Sequence, residues 1–270
     1  NCLRQSQAPV NINWFDKSNA FCKGFAYSTS QADHLLNVRA ANMSLFPDET
    51  EHFVNWLAVF YPAYAANHFV PRKIFGEYAH HTYQALKDTN PLVKITEYAE
   101  EVIAIEKNEQ GFTVLASTAH NCGQVVLAPG NFLPAHPRSQ HPEFITAPHY
   151  FQNAFAANLT VAAASQKQVV IIGSGLTMID TVISLDNSGY KGTITVMSPH
   201  AYLPQAHHES VLAPIDPFIK KDMAYTLSDL YAFVNTGLKK ARRLNLNPHS
   251  VIDVMRPHLQ ELWHCLSLWD

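Results

Sequence analysis

The sequence has little charge, few cysteines and no long apolar run, and each shortage removes a class of function. Only 15% of its 270 residues are charged, and the formal net charge is -3 with no long run of one sign. That leaves no electrostatic case for a nucleic acid or a membrane surface as partner. No apolar run approaches the roughly 18 residues that span a bilayer, and the opening Asn1-Cys2-Leu3-Arg4 is not a secretory signal. A cytoplasmic location is therefore the default expectation. The four cysteines, Cys2, Cys22, Cys122 and Cys265, lie far apart with no Cys-x-x-Cys pair. This spacing argues against a structural zinc site, a disulfide framework and a dithiol reductase.

What the chain does have is apolar residues, 47% of the total, enough for one large or two ordinary globular domains with real cores. It also has fifteen histidines, among them the adjacent pairs His80-His81 and His207-His208. Neighbours on a helix point about 100° apart and do not share a face. Solvated or hydrogen-bonded imidazoles are expected, and no metal.

Cys2 to Gln5 reads as the last turn of a helix. VNINWFD, residues 10 to 16, reads as a strand with Asp16 at its carboxyl end. A helix followed by a strand ending in an acid is the second half of a βαβ unit, whose first strand and glycine turn are expected upstream of Asn1. Residues 48 to 60 predict a helix capped by Asp48, with Phe53, Trp56, Leu57 and Phe60 at helical spacing. A second helix is expected from Pro71 to about Lys87. KITEY, EEVIAIEKNE and GFTVLAS then read as a small antiparallel meander, followed by QVVLAPG as an apolar strand. The prolines at 134, 137, 142 and 148 make residues 131 to 149 a linker. Beyond Leu203 the chain reads as mostly helical, and it runs to Trp269-Asp270 without a stop signal, so both ends read as incomplete.

Between linker and tail lies QVVIIGSGLTMID, residues 168 to 180. A β-branched run enters a Gly-x-Gly, an apolar helix pattern with Met178, Ile179, Val182 and Ile183 follows, Gly189 ends it, and Thr193 to Met197 forms the next strand. This is a complete βαβ unit. Gly173 permits the tight turn, and Gly175 lets backbone approach a pyrophosphate held by amides at the helix start. Met178 stands where the dinucleotide fingerprint has its third glycine, so the site is altered, although a flexible methionine is tolerable there. The second strand ends in Met197-Ser198-Pro199-His200, without the carboxylate that takes a ribose 2′-hydroxyl. That favours NADP over NAD, with Ser198 or His200 available to a 2′-phosphate.

The stretches GFAYSTSQADHLLNVRAANMSLFPD, FVPRKIFGEY, QVVLAPGNFLP and VVIIGSGLTMIDTVISL resemble the FAD/NAD(P)-binding proteins of the YdhS-like type, relatives of flavin monooxygenases. The resemblance covers roughly residues 10 to 264. It implies an α/β, Rossmann-like FAD/NAD(P)-binding fold, with parallel sheets, helices and a small antiparallel meander. The organisation it implies is an FAD-binding domain over 1-150, a second dinucleotide domain over 151-205 and a helical segment over 206-270. Under the resemblance, Asp16 takes the FAD ribose and the backbone of Val102 meets the adenine. Ala128, Pro129 and Gly130 match an Ala-Thr-Gly stretch at the end of an FAD-domain strand, while Leu36, Asn37 and Met43 match the segment near the flavin. Gly173, Ser174, Gly175 and Thr177 match the nicotinamide loop. Three departures stand out: Pro129 replaces a threonine, the family's N-terminal glycine-rich loop is not in this sequence, and the chain stops before a typical member does.

The expected function is an FAD-dependent oxidoreductase that uses NAD(P)H to reduce the flavin and then acts on a small-molecule substrate. Simple reduction and monooxygenase-like use of oxygen both stay open, and no residue is named as general acid or base because the cofactors carry the reactive centre. The alternative is a non-catalytic FAD- or nucleotide-binding protein, a sensor or assembly subunit that keeps the fold. The sequence leaves the substrate and the oligomeric state open.

Overall fold

A computed structural model describes residues 2–206 and 225–266. Part of the helical reading beyond Leu203, the pair His207-His208 and the Trp269-Asp270 end lie outside the described residues. The chain divides into two compact units, Asn1–Pro204 and Gln205–Asp270.

In the first unit a short helix α1 (Cys2–Gln5) leads into strand β1 (Val10–Phe15). Helices α2 (Gly24–Tyr27), α3 (His52–Phe60) and α4 (Arg72–Leu86) then carry the chain to strand β2 (Val93–Tyr98). The strand β2 contains KITEY but does not join the meander. It pairs in parallel with β1, in a register that sets Val10 opposite Val93 and Phe15 opposite Tyr98. The alternation of residues in KITEY suits either partner, and the helical crossover between the two strands selects the parallel one.

Helix α3 begins four residues later than its sequence pattern implies. Ser44 Oγ donates to Glu49 O and accepts from Phe46 N, closing residues 44 to 49 into a tight loop that keeps Asp48 out of the cap. Glu51 takes the N-cap position without a side-chain bond. Pro71 likewise sits at the N-cap of α4, one residue ahead of the position expected for it. Phe53 and Leu57 of α3 meet Ile74, Phe75 and Tyr78 of α4 in the main core, joined by Leu36, Ala40 and Val70. Each fully buried large side chain of this cluster contributes about 1.5–3 kcal/mol. Helix α4 approaches α2 so closely at Gly76 that a Cβ there would stand 2.4 Å from Tyr27 O.

The antiparallel meander consists of β3 (Ala104–Asn108), β4 (Gly111–Leu115) and β5 (Ala119–Cys122). Its third strand comes from STAHNCG, which carries too few β-branched or aromatic residues to announce itself. QVVLAPG, by contrast, forms no strand: it pairs with no neighbour among the described residues, and Val126 and Leu127 are 90% and 75% exposed. An apolar run becomes a strand only where another strand accepts its hydrogen bonds. The proline-rich segment that follows holds one 3-10 turn, Pro142–Thr146.

Helix α5 (Leu159–Ala163) precedes the βαβ unit of β6 (Gln168–Ile172), α6 (Leu176–Asn187) and β7 (Thr193–Met197), whose strands are parallel. Its core is Ala163, Leu185 and Tyr190, flanked by Leu159, Val169 and Ile194. Ile179, expected on the buried face of α6, is instead partly exposed, and Met178, Thr181 and Leu185 face inward. Gly189, at φ +80, closes the helix as expected. Parallel β1–β2 and β6–β7 pairs, their crossover helices and the meander make this an α/β, Rossmann-like fold.

The second unit is helical over its described residues. A capping box between Thr226 and Asp229 starts α7 (Leu227–Arg243), which is followed by α8 (His249–Met255), a 3-10 turn and α9 (Leu259–His264). Ala241, Val251, Met255 and Leu262 form its core. No helix among the described residues is long and apolar enough to cross a membrane.

Candidate functional site

Strand β6 delivers the chain into a turn that only a residue without a side chain adopts comfortably. Gly173 has φ +106, and its amide donates to Met197 O at 2.8 Å, tying the turn to the end of β7. A Cβ built on Gly173 or Gly175 would meet nothing within 4 Å. The turn is therefore open on its outer side, where a ligand phosphate can approach the backbone. Gly175 is the N-cap of α6 and makes no side-chain bond; the Met178 amide donates to its carbonyl at 3.0 Å, which leaves the amides of Leu176 and Thr177 as the orphan donors of the helix start. These features fit the pyrophosphate of a dinucleotide. Ser174 Oγ donates to Tyr202 O, and Thr177 is exposed on the first turn of α6. Met178 does not reach into the open turn. It is 5% exposed and belongs to the inward face of the helix. Ser198 follows β7 half-buried, and next to it His200 stacks on Tyr202.

At the carboxyl end of β1, Asp16 is held by its own turn. Its Oδ1 accepts from Ser18 N at 2.9 Å and from Ser18 Oγ at 2.6 Å, while its amide donates to Tyr98 O at the end of β2. A few residues on opens a cleft of about 380 Å³, lined by Asn19, Phe21, Lys23, Ser28, His80 and Glu97. None of these six was singled out by the sequence as a binding residue. They come from four separate stretches, and only the fold collects them. Beneath the cleft Tyr83 donates to Glu97, and burial first, then this hydrogen bond, lifts the Tyr83 hydroxyl well above its usual range. Cys22 lies close by, and burial first, then the Glu97 charge, push its thiol up to about 11.

The other residues named from sequence lie apart. Leu36 is buried in the main core and Met43 packs against it, so of these three residues Asn37 alone is exposed. Val102 is half-buried between β2 and β3. Ala128, Pro129 and Gly130 are exposed and outside regular structure, with Gly130 at φ +70.

A polar cluster that sequence reasoning missed joins α6 to the segment before Leu36. His34 is 3% exposed. Its Nε2 lies 2.8 Å from Ser184 Oγ and 3.2 Å from Asp180 O, and its Nδ1 lies 3.0 Å from Thr29 Oγ1. Ser184 Oγ already donates to Asp180 O, so Nε2 is the donor to Ser184. Arg72 Nη2 stands 3.1 Å from Asp180 Oδ2, yet that oxygen accepts no hydrogen bond with good geometry, so the contact is an ion pair without a directed bond. Burial raises the Asp180 pKa, and the Arg72 and His34 charges offset this only in part. Asn187 Nδ2 donates to Asp33 Oδ2 at 2.7 Å on the same side of the helix.

His80 and His81 are exposed, and His81 Nδ1 accepts from Trp56 Nε1. Among the described residues no three His, Cys, Asp or Glu side chains gather as a metal site.

Residues 1–132 match the profile of a protein family described as FAD-NAD(P)-binding. The match supports FAD and a nicotinamide dinucleotide, NADP or NAD, as the cofactors. No curated protein matches the chain.

Proposed function

We propose that this chain is a flavin-dependent oxidoreductase in which a reduced nicotinamide cofactor binds at Gly173–Gly175 and FAD binds on the side of Asp16. NADP is favoured over NAD, and the substrate is a small molecule. The observation that carries the reading is the open turn at Gly173, set between a parallel strand and a helix start in a chain whose first 132 residues match an FAD-NAD(P)-binding family.

When bound, the nicotinamide supplies a hydride and the flavin accepts it. The chain's own residues bind and orient. Gly173 and Gly175 leave the backbone open to a pyrophosphate, and the α6 start offers its amides and the positive end of the helix dipole. Ser198 and His200 follow the second strand of the unit, the place from which folds of this kind meet the 2′ position of an adenosine ribose, and the stretch Met197 to His200 carries no carboxylate to repel a phosphate. Asp16 offers a carboxylate to the FAD ribose.

The test is anaerobic titration of the purified, flavin-loaded protein with NADPH and then NADH. Loss of the flavin's visible absorbance with NADPH at lower concentration than NADH is the expected result. A bound flavin that neither cofactor reduces would overturn the proposal and leave a nucleotide-binding protein without this activity.

A further inference from the structure

The geometry points to His34, Arg72 and Asp180 as positioning residues that fix helix α6, and the Gly173–Gly175 turn at its start, against the segment Leu35–Asn37. The inference rests on the reading of that turn as the nicotinamide site.

Helix α6 carries two stripes. Met178, Thr181 and Leu185 face inward, where Leu185 joins the βαβ core. Asp180, Ser184 and Asn187, at i, i+4 and i+7, form a second stripe whose partners are Asp33, His34 and Arg72. Those partners are themselves tied together: Arg72 N donates to His34 O at 2.7 Å, Arg72 Nε to Leu35 O at 2.9 Å and Leu36 N to Val70 O at 2.9 Å. The residues before Leu36 thus form a short polar bracket between the start of α4 and the flank of α6. Asp180 lies five residues beyond Gly175, about 7.5 Å along the helix axis. A shift at the bracket therefore moves the glycine turn by a comparable distance.

Stability alone does not account for these residue types. An apolar contact of similar volume would hold two elements together at least as firmly as a buried ion pair, whose desolvation offsets much of its attraction. An apolar contact slides, whereas the hydrogen bonds of His34 to Ser184 and of Asn187 to Asp33 are made at one position of the helix only, and the Arg72 charge, itself held by Leu35 O, keeps Asp180 on that side. Hydride transfer needs such definition, because a misplacement of about 1 Å can slow a reaction about a hundredfold.

The experiment uses the full chain loaded with FAD and two readouts: stopped-flow reduction by NADPH, and hydrogen exchange of backbone amides. Asp180→Asn is expected to lower the limiting rate of flavin reduction about tenfold or more while the Kd for NADPH stays within about threefold. Exchange across residues 176 to 187 should quicken while residues 53 to 60 keep their protection. Arg72→Lys, which keeps the charge, should recover part of the rate. Unchanged exchange in α6, or equal losses of rate and affinity accompanied by exchange across the whole unit, would overturn the inference. If Asp180→Asn does not fold, Ser184→Ala removes only the hydroxyl facing His34. Faster exchange in α6 then supports the inference, and unchanged exchange overturns it. If neither nicotinamide reduces the wild-type flavin, the proposed function fails by itself and the exchange readout still decides the role of the bracket.

Discussion

Replacing Met178 by alanine and by glycine separates two accounts of the departure from the dinucleotide fingerprint. In one, the side chain obstructs a close approach of helix and strand, and glycine would relieve it. The structure favours the other, in which Met178 is a buried part of the helix's inward face, 5% exposed and pointing away from the open turn. Truncating a buried methionine to alanine costs about 2–5 kcal/mol. Met178 lies in the first turn of α6, outside the buried cluster of Ala163, Leu185 and Tyr190, so fewer core side chains line the gap that its truncation leaves. The lower part of the range is therefore expected, about 2–3 kcal/mol, a fall in Tm of about 4–12 °C for a unit of this size. Glycine in the first turn of α6 adds up to about 1 kcal/mol through helix propensity. Urea unfolding followed by circular dichroism, with NADPH affinity measured alongside, checks both numbers. If Met178→Gly were as stable as wild type, or bound NADPH more tightly, the side chain would be an obstruction and the reasoning would be wrong.

Two further predictions follow from local geometry. Burial and Glu97 push the Cys22 thiol up to about 11, so iodoacetamide near neutral pH should label Cys122 and Cys265 well before Cys22, as peptide mass mapping would reveal. Because the folded thiol holds its proton longer than the unfolded one, whose pKa is about 8.5, its contribution to stability is present below that value and lost as pH rises through the folded pKa of about 11. A Cys22→Ser variant should flatten that part of the stability profile, and an unaltered profile would remove Cys22 as its cause. Gly76→Ala should destabilise by more than about 1 kcal/mol despite alanine's better helix propensity, since its Cβ would stand 2.4 Å from Tyr27 O. A neutral or raised Tm would contradict the close approach of α2 and α4.

The parts of the fold that were legible are those where local pattern and tertiary partner agree. Strand β6, helix α6 and strand β7 fall within a residue of their sequence boundaries because a β-branched run, a glycine turn and a glycine stop mark each junction. Strand β1 and its terminal Asp16 were legible for the same reason. Misreadings arose where the pattern underdetermines the partner. The residues of β2 alternate as a meander strand would, yet pair with β1, and QVVLAPG is apolar enough for a strand but finds no neighbour among the described residues. The start of α3 moved because one serine hydroxyl closes a loop around Asp48. At the candidate site, the glycine turn could be read from a single stretch. The bracket of His34, Arg72 and Asp180 could not, since its members are separated by up to 146 positions. Each alone is an ordinary polar residue beside apolar ones, and burial distinguishes His34 and Asp180 only once the chain is folded.

Asp16 shows how a turn can prepare a carboxylate for a partner it has not yet met. By accepting from both the amide and the hydroxyl of Ser18, one of its oxygens freezes the side-chain torsions during folding. A hydroxyl pair arriving at the strand end would meet an acceptor whose direction is already chosen, so less rotational freedom is lost in the encounter. Ser18 is then a silent determinant of affinity: removing its hydroxyl would leave every ligand-facing atom in place and loosen only the rotamer behind them.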